Sequence, residues 1–221
     1  MCADRQPGCS YWQQSQLPRS VISRNALPGQ VVTGLSFHEF LYYGDLDCSS
    51  LLVSKEDAIK LTRYNRRAFE AYERGIKRLG WAEATKDRGI GHLSYKDTLV
   101  HILNVHEAWL VAAAQDRWEV GKDPSRRREN VKSWLDLRRY RERVWANIDV
   151  LIDGMTDRDL KRRVRVPWMS GRYTLGDAFF QSSFEQAHHL GEIIGAYWQV
   201  GKIPPQMMWI PTLLGTRVSV A

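Results

Sequence analysis

Glu185 and His189 stand four residues apart in the stretch Phe184-Glu-Gln-Ala-His-His-Leu-Gly-Glu-Ile-Ile-Gly-Ala-Tyr-Trp198. On a helix, that spacing sends a carboxylate and an imidazole from adjacent turns in the same direction. Ala178, Ser182, Ile193 and Ala196 recur with them at steps of three and four, which marks a stripe facing a core. Burying both polar groups without a partner is costly. A metal ion would satisfy them, and helix bundles build metal sites from side chains on facing helices. His101, in Asp97-Thr-Leu-Val-His-Ile-Leu-Asn-Val-His-Glu-Ala-Trp109, adds a second imidazole at the edge of another apolar stripe. The metal-ligand set His101, Glu185 and His189 supplies two imidazoles and one carboxylate, which suits zinc, nickel or iron(II). Three protein ligands leave a position open for water or substrate, as catalytic rather than structural sites do. Glu192, three residues after His189, is spaced to hydrogen-bond that ligand's free ring nitrogen.

Other readings compete. His101 reads equally well as a core histidine bonded to a backbone carbonyl. His92 and His106 read as structural, and His106 projects about 140° round the helical wheel from His101. His188 reads as a support for the ligands or as an interface residue. Cys2, Cys9 and Cys48 form no Cys-x-x-Cys pair and are odd in number, so neither a disulfide framework nor a thiolate zinc site is indicated. No nucleophile elbow, phosphate loop or dinucleotide fingerprint is present.

The elements that would position these residues can be read in order. Residues 1–52 carry Pro7, Gly8, Pro18, Pro28, Gly29 and Gly34 and hold no helical period, so an irregular N-terminal extension is expected. Residues 53–221 form the second unit. Ser54 caps a first helix that ends at Gly80. Ser94, with Asp97 three residues on, opens a second helix running to about Arg117. A third is expected from about Glu129 to Asp153. Val164 and Val166 alternate before Ser170-Gly171, which suggests a small hairpin. Thr174 with Asp177 opens the fourth helix, which ends near Val200 before Gly201 and Pro204-Pro205. Trp109, Trp118, Trp134, Trp145 and Trp198 fall in these helical stretches and could wall a core or a pocket. The tail from Met207 is apolar enough to dock. An all-α, four-helix bundle is the expected fold.

The chain has 221 residues and a net charge of +7, enough for one domain with a sizeable core. The charge concentrates in Ser125-Arg-Arg-Arg-Glu, Leu137-Arg-Arg-Tyr-Arg-Glu-Arg143 and Lys161-Arg-Arg-Val-Arg165. Acids are interleaved with them, which favours a solvated face over a nucleic-acid surface. No apolar run is long enough to span a bilayer, and the N-terminus lacks a secretory pattern. A cytoplasmic protein without membrane partners is expected.

The two histidine-bearing segments, Asp97–Trp109 and Glu185-Gln-Ala-His-His-Leu-Gly-Glu-Ile193, followed by Gly201-Lys-Ile-Pro-Pro205, resemble the DinB-like (DinB/YfiT) superfamily over roughly residues 54–205. The resemblance implies a four-helix bundle, commonly a homodimer, with a divalent metal on three histidines. One comes from the second helix and two, four residues apart, from the fourth. By position these are His101, Glu185 and His189. Glu185 departs from the usual histidine, and His106 stands where an acid is common. Family members include thiol transferases using mycothiol or bacillithiol and a mycothiol-dependent maleylpyruvate isomerase. The resemblance therefore implies a metal-dependent enzyme acting on a small molecule, by transfer of a low-molecular-weight thiol or by metal-assisted hydrolysis. Its basic residues would receive the thiol's carboxylate. The alternatives are a nucleic-acid-binding module using Arg126 to Arg128 and the helix-three arginines, and a non-catalytic bundle with a vestigial polar triad.

Overall fold

The computed structural model describes residues 53–118, 123–168 and 173–214. The expected N-terminal extension and the Ser170-Gly171 turn lie outside the described residues. Each long helix starts at a side-chain cap. Ser54 and Asp57 form a reciprocal capping box for α1 (Lys55–Leu79), and Gly80, at φ 92°, ends it and leads into the short α2 (Trp81–Thr85). Ser94 accepts from the Asp97 amide at the start of α3 (Tyr95–His106). That helix then widens into a π-helical segment, Glu107–Ala112, and closes with α4 (Ala113–Gln115). Two 3-10 turns, Pro124–Arg126 and Arg128–Asn130, precede α5 (Trp134–Gly154). The short α6 (Asp157–Leu160) leads to β1 (Arg163–Val164), which pairs antiparallel with β2 (Tyr173–Thr174). Thr174 and Asp177 cap α7 (Leu175–Gln199), and α8 (Trp209–Leu214) follows.

The expected bundle and hairpin are therefore present, with two shifts. The third helix starts at Trp134 rather than Glu129, because Ser133 and Asp136 supply its cap. The second helix is α-helical only to His106. A π turn inserts extra backbone, and such turns recur at functional sites.

Phe69, Tyr72 and Ile76 of α1, Leu99, Ile102 and Leu103 of α3, and Phe179 and Ile193 of α7 are buried together. Leu137, Val144 and Ile148 of α5 close the core. Trp109 and Trp145 are also buried, but Trp198 is 68% exposed and walls nothing among the described residues. The tail docks as expected. Tyr64 donates its hydroxyl to the Met207 carbonyl at 2.6 Å, and Arg67 donates to the Leu213 carbonyl. A Cβ on Gly75 would lie 2.6 Å from Pro205 Cγ, so only glycine lets the tail lie this close to α1.

Much of the basic charge is neutralised within the bundle. Arg141 pairs with Glu73, Arg66 with Asp149 at 2.5 Å, and Arg143 with Asp123 at 2.7 Å. Glu107, nearly fully buried, forms an ion pair with Arg126, whose Nε lies 3.0 Å away, and accepts a hydrogen bond from the Tyr140 hydroxyl at 3.1 Å. Removing one partner of such a buried pair typically costs about 3–5 kcal/mol. No helix among the described residues is long and apolar enough to cross a membrane.

His106 is fully buried at the centre of the bundle. Gln186 donates through Nε2 to the Asn65 carbonyl at 3.0 Å, so its Oε1 accepts from His106 Nε2–H at 2.8 Å. Nδ1 has no hydrogen-bond partner, as suits a neutral ring. Burial lowers its pKa from 6.5 to about 4, against the upward pull of Gln186. Because the folded value is depressed, this contribution to stability is complete above pH 6.5 and is lost as pH falls towards 4. The unfolding free-energy difference between wild type and His106→Leu should therefore shrink between pH 7 and pH 4, by up to about 3 kcal/mol. Urea melts at both pH values measure it, and a pH-independent difference would contradict it.

Candidate metal centre

Three structural devices deliver the side chains. The capped α3 carries His101 two turns from its start. The middle of α7 carries Glu185, His188, His189 and Glu192. The third device is the turn before α3. Leu93 donates to the Ile90 carbonyl at 2.7 Å and accepts from the Arg88 amide at 2.7 Å, with Leu93 at φ 70°. Arg88 in turn pairs with Glu83 and lies 4.3 Å over the Tyr95 ring. This tight turn aims His92 at the two helices.

The three imidazoles meet. His92 stacks on His101 with centroids 3.7 Å apart, and His101 meets His189 edge-on at 4.5 Å. One ring nitrogen from each of His92, His101 and His189 lies within 4.8 Å of the others, so the three could hold a metal ion. Glu185 Oε2 is 3.5 Å from His189 Nε2, but the group of mutually close donor atoms is made of His92, His101 and His189 and does not include the expected ligand Glu185. Gln181 donates to Glu185 Oε1 at 3.0 Å and fixes the carboxylate's rotamer. On the other side of the ring, His189 Nδ1–H donates to Glu192 Oε2 at 3.0 Å, as the i, i+3 spacing predicts. A Cβ on Gly91 would stand 2.5 Å from Glu192 Oε1, so that glycine lets the His92 turn close against Glu192.

His92 was read from sequence as structural, and the structure instead places it in the cluster. No periodicity could have revealed it, because a turn and not a helix presents it. The nearest sequence signal was the pair Gly89 and Gly91, which marks a tight loop. His188 is exposed, with Nε2 3.7 Å from Glu192 Oε1. His188, His189 and Glu192 form a second group of donor atoms within 4.8 Å of one another. His106 belongs to neither group, in keeping with its structural reading.

The electrostatics favour a cation. Burial, reinforced by the neighbouring His189, lowers the His92 pKa to about 4. Burial and the neighbouring imidazoles lower that of His101 to about 2. Both rings are neutral at pH 7, the protonation state that a metal-ligating imidazole needs. Burial also pulls His189 down, but its hydrogen bonds to Glu185 and Glu192 outweigh it and raise its pKa to about 9. The same hydrogen bond to His189 is the main cause that lowers Glu185 and Glu192. A proton on His189 is thus the positive charge that two carboxylates hold at this spot. The associated stability is fully present below pH 6.5 and is lost as pH rises through about 9. In metal-free protein, NMR titration should find His189 losing its proton near pH 9, and Glu192→Gln should lower that value by a unit or more, about the size set by one lost carboxylate partner. A His189 midpoint near 6.5 in both proteins would contradict the clamp.

The donor set fits a divalent metal by its chemistry: neutral imidazoles, an adjoining oriented carboxylate, and a carboxylate on the far ring nitrogen. No curated protein matches the chain. A family model for the DinB superfamily matches residues 64–193, from α1 to the cluster's last residues on α7. The match takes in more than half of the chain and every histidine of the cluster, and the chain belongs to the DinB superfamily.

Proposed function

We propose that this chain is a divalent-metal-dependent enzyme acting on a small molecule, with His101, Glu185 and His189 as metal ligands and His92 beside them. The reaction is transfer of a low-molecular-weight thiol or metal-assisted hydrolysis. The observation that carries this reading is the convergence of three imidazoles from two helices and a turn, with the Glu185 carboxylate against one of them, His189. Zinc, nickel or iron(II) suits such a set, and the ion when bound supplies Lewis acidity that lowers the pKa of a water or thiol.

The remaining chemistry belongs to the protein. Burial keeps His92 and His101 unprotonated at neutral pH, the state in which an imidazole ligates a metal. Glu192 holds the Nδ1 proton of His189, which fixes the tautomer and presents Nε2 to the cluster. Gln181 holds Glu185 in place. Glu185, where the family more often has histidine, brings a negative charge that favours harder cations than a third imidazole would. Family membership supports the metal reading without choosing among reactions.

Metal analysis of untagged full-length protein tests the proposal. One equivalent of a divalent metal is expected. His101→Ala and His189→Ala should abolish uptake, and Glu192→Gln should weaken it by about 10–100-fold. Full uptake by His189→Ala, or none by wild type under titration, would leave a bundle whose polar cluster is a relic.

A further inference from the structure

His188 stands outside the buried cluster and takes no part in the reading above, yet it shares a carboxylate with that cluster. Glu192 divides its two oxygens between two imidazoles. Oε1 lies 3.7 Å from His188 Nε2, and Oε2 accepts from His189 Nδ1–H at 3.0 Å. The rings of His188 and His189 meet edge-on, with centroids 4.9 Å apart. One donor atom from each of the three residues lies within 4.8 Å of the others. An i, i+4 histidine–glutamate pair on an exposed helix face is by itself a weak, solvated contact. Here a third donor, on the neighbouring residue, converges on the same carboxylate.

The spacing suits a small cation. Two atoms that ligate one tetrahedral zinc at about 2.0–2.1 Å stand about 3.3 Å apart. The separations here, 3.0 and 3.7 Å, bracket that value. The carboxylate is also confined. A Cβ on Gly91 would stand 2.5 Å from Glu192 Oε1 and 3.3 Å from Oε2, so the turn before α3 backs it closely. The other side is open. The His188 side chain is 68% exposed. Gly191, three residues on and on the same side of α7, would carry a Cβ that meets no atom of the described residues within 4 Å. An ion there has room to keep some of its water. It would take the place of the proton between His189 and Glu192, and that proton leaves to solvent. The inner centre uses Nε2 of His189 and this group uses Nδ1, so the two do not compete for one atom.

We propose that His188 Nε2, the Glu192 carboxylate and His189 Nδ1 form a second, solvent-facing site for a divalent transition ion, distinct from the buried centre. Two imidazoles and one carboxylate suit zinc or copper(II). Equilibrium dialysis of untagged full-length protein against rising zinc, with bound metal counted by plasma mass spectrometry, tests it. Beyond the first, tightly held equivalent, excess zinc should add a second, about tenfold or more weaker because its site is open to water and lies beside a bound cation. His188 is exposed, so His188→Ala leaves the fold intact. That variant should weaken the second step by about tenfold or more and leave the first unchanged, as loss of a ligand costs at least what loss of a ligand's support does. Glu192→Gln should lose the second step as well. Uptake that stops at one equivalent and is unchanged in His188→Ala overturns the outer site. A second equivalent that survives either substitution overturns it too, since that ion is held elsewhere in the chain. A single equivalent that His188→Ala abolishes would support the outer site and remove the inner one, so the two readings fail separately. No uptake at any zinc concentration removes both.

Discussion

A buried histidine held between two carboxylates, with two neutral imidazoles against its face, is the constraint from which the rest of the site follows. Each of these groups costs free energy to remove from water. Glu185 and Glu192 bracket the ring of His189, and burial denies His92 and His101 any charge of their own. With His189 protonated, the cluster carries one net negative charge, and with that proton gone it carries two. A divalent cation balances the second state, and a proton only partly balances the first. The geometry stores a demand for positive charge that α3, α7 and the His92 turn are shaped to present.

Other buried polar groups in the bundle behave differently, and the contrast is informative. His106 Nε2–H donates to Gln186, which is itself anchored on the Asn65 carbonyl, so that chain ties α3 and α7 to α1. Glu107 is satisfied by Arg126 and Tyr140, which brings the 124–130 connection against the π turn. These networks tie together the helices around the cluster. They also fix the basic segment to α3, the helix that carries His101.

Much of this was legible in the residues. The caps at Ser54, Ser94 and Thr174 mark helix starts because a side-chain oxygen must meet an otherwise unpaired amide. The i, i+4 step from Glu185 to His189 and the i, i+3 step to Glu192 survive unchanged, since helical geometry fixes them. What could not be read depends on non-local or irregular backbone. His92 reaches the cluster through a tight turn with no period. The π turn after His106 has no composition of its own. Ser133-x-x-Asp136 was a readable cap that the apolar pattern upstream concealed, and the burial of Glu107 depends on Arg126 arriving from 19 positions away.

X-ray absorption at the metal edge of the loaded, untagged protein bears most directly on whether this cluster is a metal centre. Imidazole multiple scattering from two or three histidines, with nitrogen and oxygen neighbours at about 2.0–2.2 Å, is the expected result. That signal should lose one imidazole in His101→Ala. A first shell of oxygen alone, or a spectrum that His101→Ala leaves unchanged, would show that the ion is bound elsewhere and that the three rings meet for a structural reason.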